Sequence, residues 1–498
     1  TNQYFLNISK IKKKLVSENR KVAWHPPEAQ KWEEDVLNNS PDWCISRQRY
    51  WGIPLPIWKC EKCGTATVVG SLEELKEKAA DKEYANSLKD LHRPYIDGVV
   101  LKCEKCGGDM RRISDVADVW FDSSTAFRAS LSDDEFDKFF PADFILEGVD
   151  QLRGWFTGLL KLGVVAYGKR PFEHVIIDGM MLAEDGREMH KHLGNFISLK
   201  ELLSISSADA FRLWVMSHTH WIDLPFVKSE LKEAEGVIST LYNIRNLIDE
   251  YSAAIGYMPN NSKLKKRFNA GRYDIEEQWI MSRLNSTIKK VTESLEDYDA
   301  SGAVNALRKF ILDDFSRFYL KSAKKRILES RKRDAVKIIE VIRTVFYKFL
   351  VAAAPAIPMA AENIYMEEYK GESIFLEDWP KYDRKSINEE LESEMNISSA
   401  FITAILNSRE KAGIKLRWPV GKAVIEVGDE NVYATVEKMS SLIERYTNVK
   451  KIEVKLGDVR VEEVVPVYAK LGPLFKQNAQ AVAEALKKAD PELSLIHI

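Results

Sequence analysis

The sequence predicts an α/β domain with a zinc-binding insert, followed by an all-α bundle and then a smaller α+β unit. Three observations carry this. Strand-like and helix-like runs alternate between Ile113 and Met181, the pattern of a parallel sheet whose ligands sit at the carboxyl ends of its strands. Two Cys-x-x-Cys-Gly knuckles, Cys60 to Gly64 and Cys103 to Gly107, precede that region. From Ser206 to about residue 395 long helical periodicities dominate.

At 498 residues the chain is long for one core, and a prior of about 100 to 200 residues per domain suggests roughly three. A composition that is 45% hydrophobic and 30% charged, with a net charge of −2, excludes a protein that coats nucleic acid by bulk charge. Local basic patches remain a route to such a partner. The longest apolar run, Phe349 to Ala361, is broken by Pro355 and Pro358, so no membrane span is expected and the chain reads as cytoplasmic. Four of the five cysteines fall in the knuckles, which suits that compartment. Both ends read as cut. The chain opens Thr1-Asn2-Gln3-Tyr4-Phe5 without methionine, and Leu493 to Ile498 resembles a translated sequencing adapter, so a fragment with a non-native tail at 493–498 is expected.

In chain order, Gln3 to Leu6 gives a short aromatic strand signal, and Lys10 with Lys12 to Lys14 the solvated face of a helix. Asp42 to Trp58 is too dense in aromatics, arginines and prolines for a helix or a regular strand. It reads as a rigid segment lining a site, or as a packed connector with Cys44 a small core residue. Cys60, Cys63, Cys103 and Cys106 offer four thiolates in two glycine-closed turns, a set suited to tetrahedral Zn²⁺ with no position left for catalysis. Ser71 to Leu91 reads as the helix-bearing part of an insert at 59–110.

Asp118 to Asp122 reads as a strand running into Ser123 and Ser124, Phe144 to Gly148 as the end of a second strand, Gln151 to Tyr167 as an apolar helix, and His174 to Asp178 as a third strand. Glu147, Gly148, Asp150 and Gln151 then lie at a strand's carboxyl end, where acidic and amide groups can hold an ammonium group or ribose hydroxyls. Asp150 as a helix N-cap is the alternative. The loop from Asp178 to Leu199 is cationic and punctuated by glycine, and Ser198 with Glu201 forms a capping box, so a helix begins just after it with N–H groups that favour an anion. A plain surface turn has the same composition. Beyond Ser206, the aromatic-interleaved stretch from Arg308 to Arg333 puts Arg317, Lys321, Lys324 and Lys325 on helical faces that are either solvated or able to follow a phosphate backbone. Residues 396–410 add a helix, and after Gly413 short strands at Ala423 to Val427 and Lys451 to Val454 alternate with helices.

Taken together, four motifs resemble the isoleucyl-tRNA synthetases of class I: Trp43-Cys44-Ile45-Ser46-Arg47-Gln48-Arg49-Tyr50-Trp51-Gly52; Asp118-Val119-Trp120-Phe121-Asp122-Ser123; the run from Glu147 to Phe156; and Leu193-Gly194-Asn195. The resemblance spans most of residues 1–492 and includes Trp279 to Asn285, Asp314 to Tyr319, Asp378-Trp379-Pro380 and Leu416-Arg417-Trp418-Pro419, the last closer to the archaeal and eukaryotic branch. It implies the C-terminal half of a Rossmann-type catalytic domain over 1–205, a helical anticodon-binding domain over 206–395 and a truncated α+β domain over 396–492. The implied activity is the joining of L-isoleucine to tRNA(Ile) by way of an adenylate made from ATP with Mg²⁺, by a monomer carrying a structural Zn²⁺. The resemblance implies that Glu147, Gly148, Asp150 and Gln151 hold the aminoacyl-adenylate and that Trp120 and Trp155 form the apolar side-chain pocket. It assigns tRNA contact to Arg317, Lys321, Lys324, Lys325 and Trp418. A pocket of that kind separates isoleucine from valine by one methylene, which is why the family adds an editing site.

The family's His-Ile-Gly-His motif and editing domain are absent from these residues. Its Lys-Met-Ser-Lys-Ser loop stands here as Glu188-Met189-His190-Lys191-His192, in which only Met189 and Lys191 match. The resemblance makes Lys191 the main phosphate contact, with Met189, His190 and His192 beside it. Glu188 puts an anion where the family has a cation, and Arg187, His190 and His192 are the cations available to offset it. Two other readings stand beside this one: a valyl or leucyl enzyme, against which the run Arg49 to Pro56 and the Trp120/Trp155 pair speak, and a tRNA-binding paralogue without aminoacylation activity, which the altered loop suggests.

Overall fold

The computed structural model describes residues 3–261, 264, 268–457 and 480, so the tail expected at 493–498 lies outside the described residues. Two units divide the chain, Thr1–Glu235 with Ser294–Gly302, and Gly236–Glu293 with Ala303–Ile498.

In the first unit, α1 (Lys12–Asn19), β1 (Ala23–His25) and α2 (Ala29–Asn39) precede an antiparallel insert of β2 (Ile57–Cys60), β3 (Ala66–Val68), β4 (Leu101–Lys102) and β5 (Asp109–Arg112), in the spatial order β3-β2-β5-β4. Two helices, Leu72–Lys78 and Lys82–Ser87, fill the stretch between the knuckles, as the sequence predicts. The insert has its own core, in which Trp58 is buried and its indole N–H donates to the Val99 carbonyl at 2.8 Å.

The chain continues through α3 (Val119–Ser123), β6 (Ala142–Gly148), α4 (Trp155–Tyr167) and β7 (Phe172–Asp178), and β6, β7 and β1 form the expected parallel sheet with β7 in the middle. Gly148 stands opposite Asp178 in its register. One face is sealed by a core that joins Leu15, Trp24, Leu37, Phe156, Leu160 and Val175. Beyond the sheet, α5 (Leu199–Ile205) begins at the capping box of Ser198 and Glu201.

One element differs from its sequence reading. Residues 118–122 are not a strand; a pair of strand residues, Val116–Ala117, ends there and α3 starts. The Asp118 carboxylate accepts the Trp120 N–H at 3.0 Å, and this cap outweighs the β-preference of the valine and aromatics in a run too short to pair. Likewise the first turn expected of the helix from Gln151 is a separate 3-10 turn, Val149–Arg153, which Gly154 divides from α4.

A buried acid links α2 to α4. Glu33 is fully buried, and burial pushes its carboxyl up to about 8, against the help of the Thr157 hydroxyl 2.8 Å away. Thr157 in turn donates to the Leu152 carbonyl, so the neutral acid can donate to Thr157 and complete the chain. Because the folded-state value lies above the ordinary 4.5, the folded protein holds this proton more tightly than the unfolded chain does. Stability is therefore full at low pH and declines as pH rises through about 8. Glu33→Gln, which keeps a donor without the charge, should leave stability unchanged at pH 5 and raise it at pH 9 by on the order of 2 kcal/mol. Denaturation curves at the two pH values check this, and parallel pH profiles for the two proteins would refute it.

The second unit is helical, with α6 (Ile275–Glu296), a π-helical stretch at Phe310–Tyr319, α7 (Leu320–Glu329), α8 (Lys332–Ala353) and α9 (Glu389–Lys411). It ends in β8 (Ala423–Val427), α10 (Glu430–Lys438), α11 (Ser440–Thr447) and β9 (Ile452–Leu456), whose two strands pair in parallel. Arg326, read with its neighbours as part of a basic stripe, is instead buried and paired with Glu277, to which Tyr319 also donates at 2.9 Å. Among the described residues no helix is long and apolar enough to cross a membrane.

Candidate functional site

The carboxyl ends of β6 and β7 gather the residues singled out for substrate. Glu147 and Gly148 close β6, and Asp178 closes β7 beside them. Burial, and then the Glu147 carboxylate, raise the Asp178 carboxyl above its ordinary range. Two acids at neighbouring strand ends make this rim electronegative, a setting that favours an ammonium group. Asp178 was not among the residues picked from sequence; only its place at the end of the third strand pointed to it.

In the 3-10 turn that follows, the Gln151 amide is held at both ends. Its Nε2 donates to Asp150 Oδ2 at 2.8 Å and its Oε1 accepts the Trp155 N–H at 3.1 Å. Asp150 thus orients Gln151 and does not cap a helix, since the cap position is Gly148. The two tryptophans come from different elements yet meet the same turn. The Trp155 indole donates to the Ser123 carbonyl at 3.0 Å, and Trp120, from α3, lies over Gly154, where a Cβ would come within 3.2 Å of its ring and 2.8 Å of Gln151 Oε1. Glycine is needed there for close approach. Behind Trp120, Arg47 forms a 2.5 Å ion pair with Asp118 and donates to the Cys44 and Ser46 carbonyls, which ties the aromatic segment at 43–51 to this wall.

The cationic loop after β7 has a definite shape. A tight hairpin returns at Gly186, which has a left-handed φ of +78°, with the Ala183 N–H donating to the Arg187 carbonyl at 2.8 Å. Asn195 then closes the next turn, accepting the His190 N–H and donating to the Glu188 carbonyl, both at 2.9 Å. Glu188 does not project alone: the His190 Nε2 lies 3.2 Å from its carboxylate, and His192 stacks on His190 at 5.3 Å. Lys191 is exposed, with its ammonium 5.6 Å from the Phe196 ring, while Met189 is half-buried. Arg187 is engaged by Asp185, whose carboxylate raises the guanidinium further above its ordinary value.

In the insert, the four cysteines converge. Cys60 and Cys106 sulfurs lie 3.5 Å apart, Cys63 and Cys103 sulfurs 3.6 Å apart, and all four fall within 4.8 Å of one another. Four ligands at about 2.3 Å from one ion would have edges near 3.8 Å, so the set fits a tetrahedral metal. Gly64 and Gly107 take left-handed φ values of +73° and +68° to turn each knuckle. The fifth cysteine, Cys44, is separate.

The residues singled out for nucleic acid lie in the second unit. Lys321, Lys324 and Lys325 are exposed on α7, and Arg317 is exposed but ion-paired with Asp313 at 2.8 Å. Trp418 stands 60% exposed on the loop between α9 and β8.

Residues 1–226 match the family model described as tRNA synthetases class I (I, L, M and V), and residues 277–426 match the anticodon-binding domain of tRNA ligase. The isoleucine–tRNA ligase of Archaeoglobus fulgidus is 38% identical over 97% of this chain and 47% of its own length. That of Saccharolobus solfataricus is 38% identical over 91% of this chain and 46% of its own length. The chain thus spans about half the length of the curated relatives it matches. Among solved structures, the LeuRS–tRNA–LeuAMS ternary complex of Agrobacterium radiobacter K84 superposes with a TM-score of 0.51 at 20% identity, covering 70% of this chain and 44% of that one.

Proposed function

Because this chain belongs to the class I tRNA synthetases, by its catalytic family over residues 1–226 and its anticodon-binding family over 277–426, we propose that it is part of an isoleucine–tRNA ligase. The proposed substrates are L-isoleucine, ATP and tRNA(Ile). The observation that supports this most is the meeting of Glu147, Asp150, Gln151, Trp120 and Trp155 at one end of the parallel sheet, an acidic rim beside two indole walls.

On this reading the rim formed by Glu147 and its neighbours receives the ammonium group and Trp120 and Trp155 flank the branched side chain. The isoleucine carboxylate attacks the α-phosphorus of ATP, the bond to the β-phosphate oxygen breaks, and pyrophosphate leaves. Lys191 offsets the charge that grows on the leaving group, and His190 and His192 extend the same surface. Mg²⁺, when bound with ATP, would supply further neutralisation of the phosphates. Zn²⁺ on the four cysteines would act as a staple, since all its positions are taken by protein. We assign residues 1–205 to catalysis, with the insert at 59–110, 206–395 to the anticodon side and 396–492 to the terminal α+β unit, in a monomer of the cytoplasm.

The 498 residues contain no His-Ile-Gly-His tetrapeptide, so the nucleotide site requires a segment outside them. Joined to such a segment, the polypeptide should catalyse isoleucine-dependent ATP–pyrophosphate exchange, while the 498 residues alone should give none. Valine should be the weaker substrate by about 1–3 kcal/mol, a figure taken over from that pair of amino acids and not worked out from these two rings. Exchange by the isolated chain would overturn the division of the site. Absence of exchange in the joined protein, with tRNA binding kept, would favour the second reading, a tRNA-binding protein without adenylation. The anion at Glu188 is the observation that favours that alternative.

A further inference from the structure

In the second unit three segments far apart in sequence enclose a basic pocket of about 420 Å³, within the roughly 300–1,000 Å³ span of ligand sites. Helix α7 contributes Lys321, the loop after α9 contributes Leu416 and Arg417, and the end of α11 contributes Tyr446. The loop is fixed from behind. Buried Arg409 donates to the carbonyls of Lys415 at 2.8 Å and Trp418 at 2.5 Å, and Asn448, itself in the left-handed region at φ +51°, donates to the Leu416 carbonyl at 2.8 Å. With its backbone held, the loop presents Arg417 and Trp418 outward, the guanidinium 5.5 Å from the indole centroid.

The cations here are not equivalent. Arg326 and Arg445 are committed to Glu277 and Glu276, and Lys325 lies 3.9 Å from Glu329. Among the described residues Lys321 and Arg417 have no carboxylate partner, and both are exposed. The floor is aromatic: Tyr446 stacks on Phe318 at 4.7 Å, and its buried hydroxyl lies beside Ser322 without a well-formed hydrogen bond. Free cations at the mouth, an aromatic floor with an unmet polar group and an exposed indole on the rim together match the needs of a splayed nucleotide. Charge takes the phosphate, and ring faces take the bases. An acidic peptide would use the cations alone.

We infer that this pocket takes one unstacked nucleotide of single-stranded RNA, its phosphate between Lys321 and Arg417, its base over Leu416 and Tyr446, and the adjoining base on Trp418. The inference rests on the tRNA-binding part of the proposed function and narrows it to one pocket, whose Tyr446 lies beyond the segment matched by the anticodon-binding family.

The test uses the 498-residue chain with two probes of equal length, an RNA stem with a seven-nucleotide loop and a blunt RNA duplex, alongside a tRNA(Ile) transcript. The chain should prefer the stem-loop to the duplex by about tenfold or more. Arg417→Ala and Lys321→Ala should each weaken stem-loop binding about tenfold and lower its salt slope by about 1. Trp418→Ala should weaken the stem-loop while leaving the salt slope alone. All three positions are exposed, so unchanged melting curves are expected. Equal losses on stem-loop and duplex would reduce the pocket to part of a charged surface and overturn the inference. Undiminished binding of the tRNA transcript by all three variants would overturn it too, while leaving tRNA binding itself intact. Competition by polyglutamate as effective as by the stem-loop would assign the pocket to acidic peptide.

Discussion

Replacing Cys60 with serine should release about one zinc per chain and unfold the antiparallel insert, residues 57–112. Metal binding to thiolate sites in small domains supplies on the order of 10–16 kcal/mol of folding free energy, and this insert has only a modest core of its own around Trp58, Leu75 and Met110. Loss of one of four ligands leaves the other three sulfurs near one another without the ion that justifies their proximity. Hydrogen exchange should then accelerate across the insert strands while β6, β7 and β1 keep their protection, because the sheet's core is separate from that of the insert. Cys44→Ser is the matched control, since Cys44 is apart from the cluster and its loss should release no metal. Metal analysis of the two purified variants decides the matter. Equal zinc in both would remove the assignment of the knuckles.

Lys191→Ala should lower isoleucine-dependent pyrophosphate exchange about 100–1,000-fold in the protein that carries the complete nucleotide site. The effect should fall on rate more than on isoleucine binding, because the charge Lys191 opposes develops as pyrophosphate departs. The loop itself should survive the change. Its form depends on Asn195, Gly186 and the Ala183 to Arg187 hairpin, and the lysine side chain meets only the Phe196 ring. Lys191→Arg should recover part of the rate, which a purely structural role would not predict. If Lys191→Ala exchanged at the original rate, the phosphate role would pass to another cation.

Much of this was legible in the sequence where the determining interactions are local. The cysteine spacing fixes two turns, each completed within five residues, and Ser198 with Glu201 specifies a helix start by reciprocal capping. The strands at 142–148 and 172–178 carry apolar runs that survive in any context. What was not legible depends on partners far along the chain. Arg326 looks like its neighbours in a basic run until Glu277, nearly fifty residues earlier, is brought against it. Residues 118–122 read as strand because aromatics and valine dominate them, yet Asp118 both caps α3 and pairs with Arg47, contacts that periodicity does not encode. The wall formed by Trp120 likewise needs Gly154, whose missing side chain matters only once the ring is above it.

The loop at 182–195 also bears on how such a segment can drift. Its outline is set by main-chain atoms, by two left-handed glycines at 186 and 194 with open space beside them, and by one asparagine side chain that grips the backbone on either side. The tips of Glu188, His190 and His192 hang outward and contribute little to that outline. Lettering and outline are therefore inherited separately: substitutions can accumulate at the tips, rewriting the charge, while the form persists as long as Asn195 and the two glycines do.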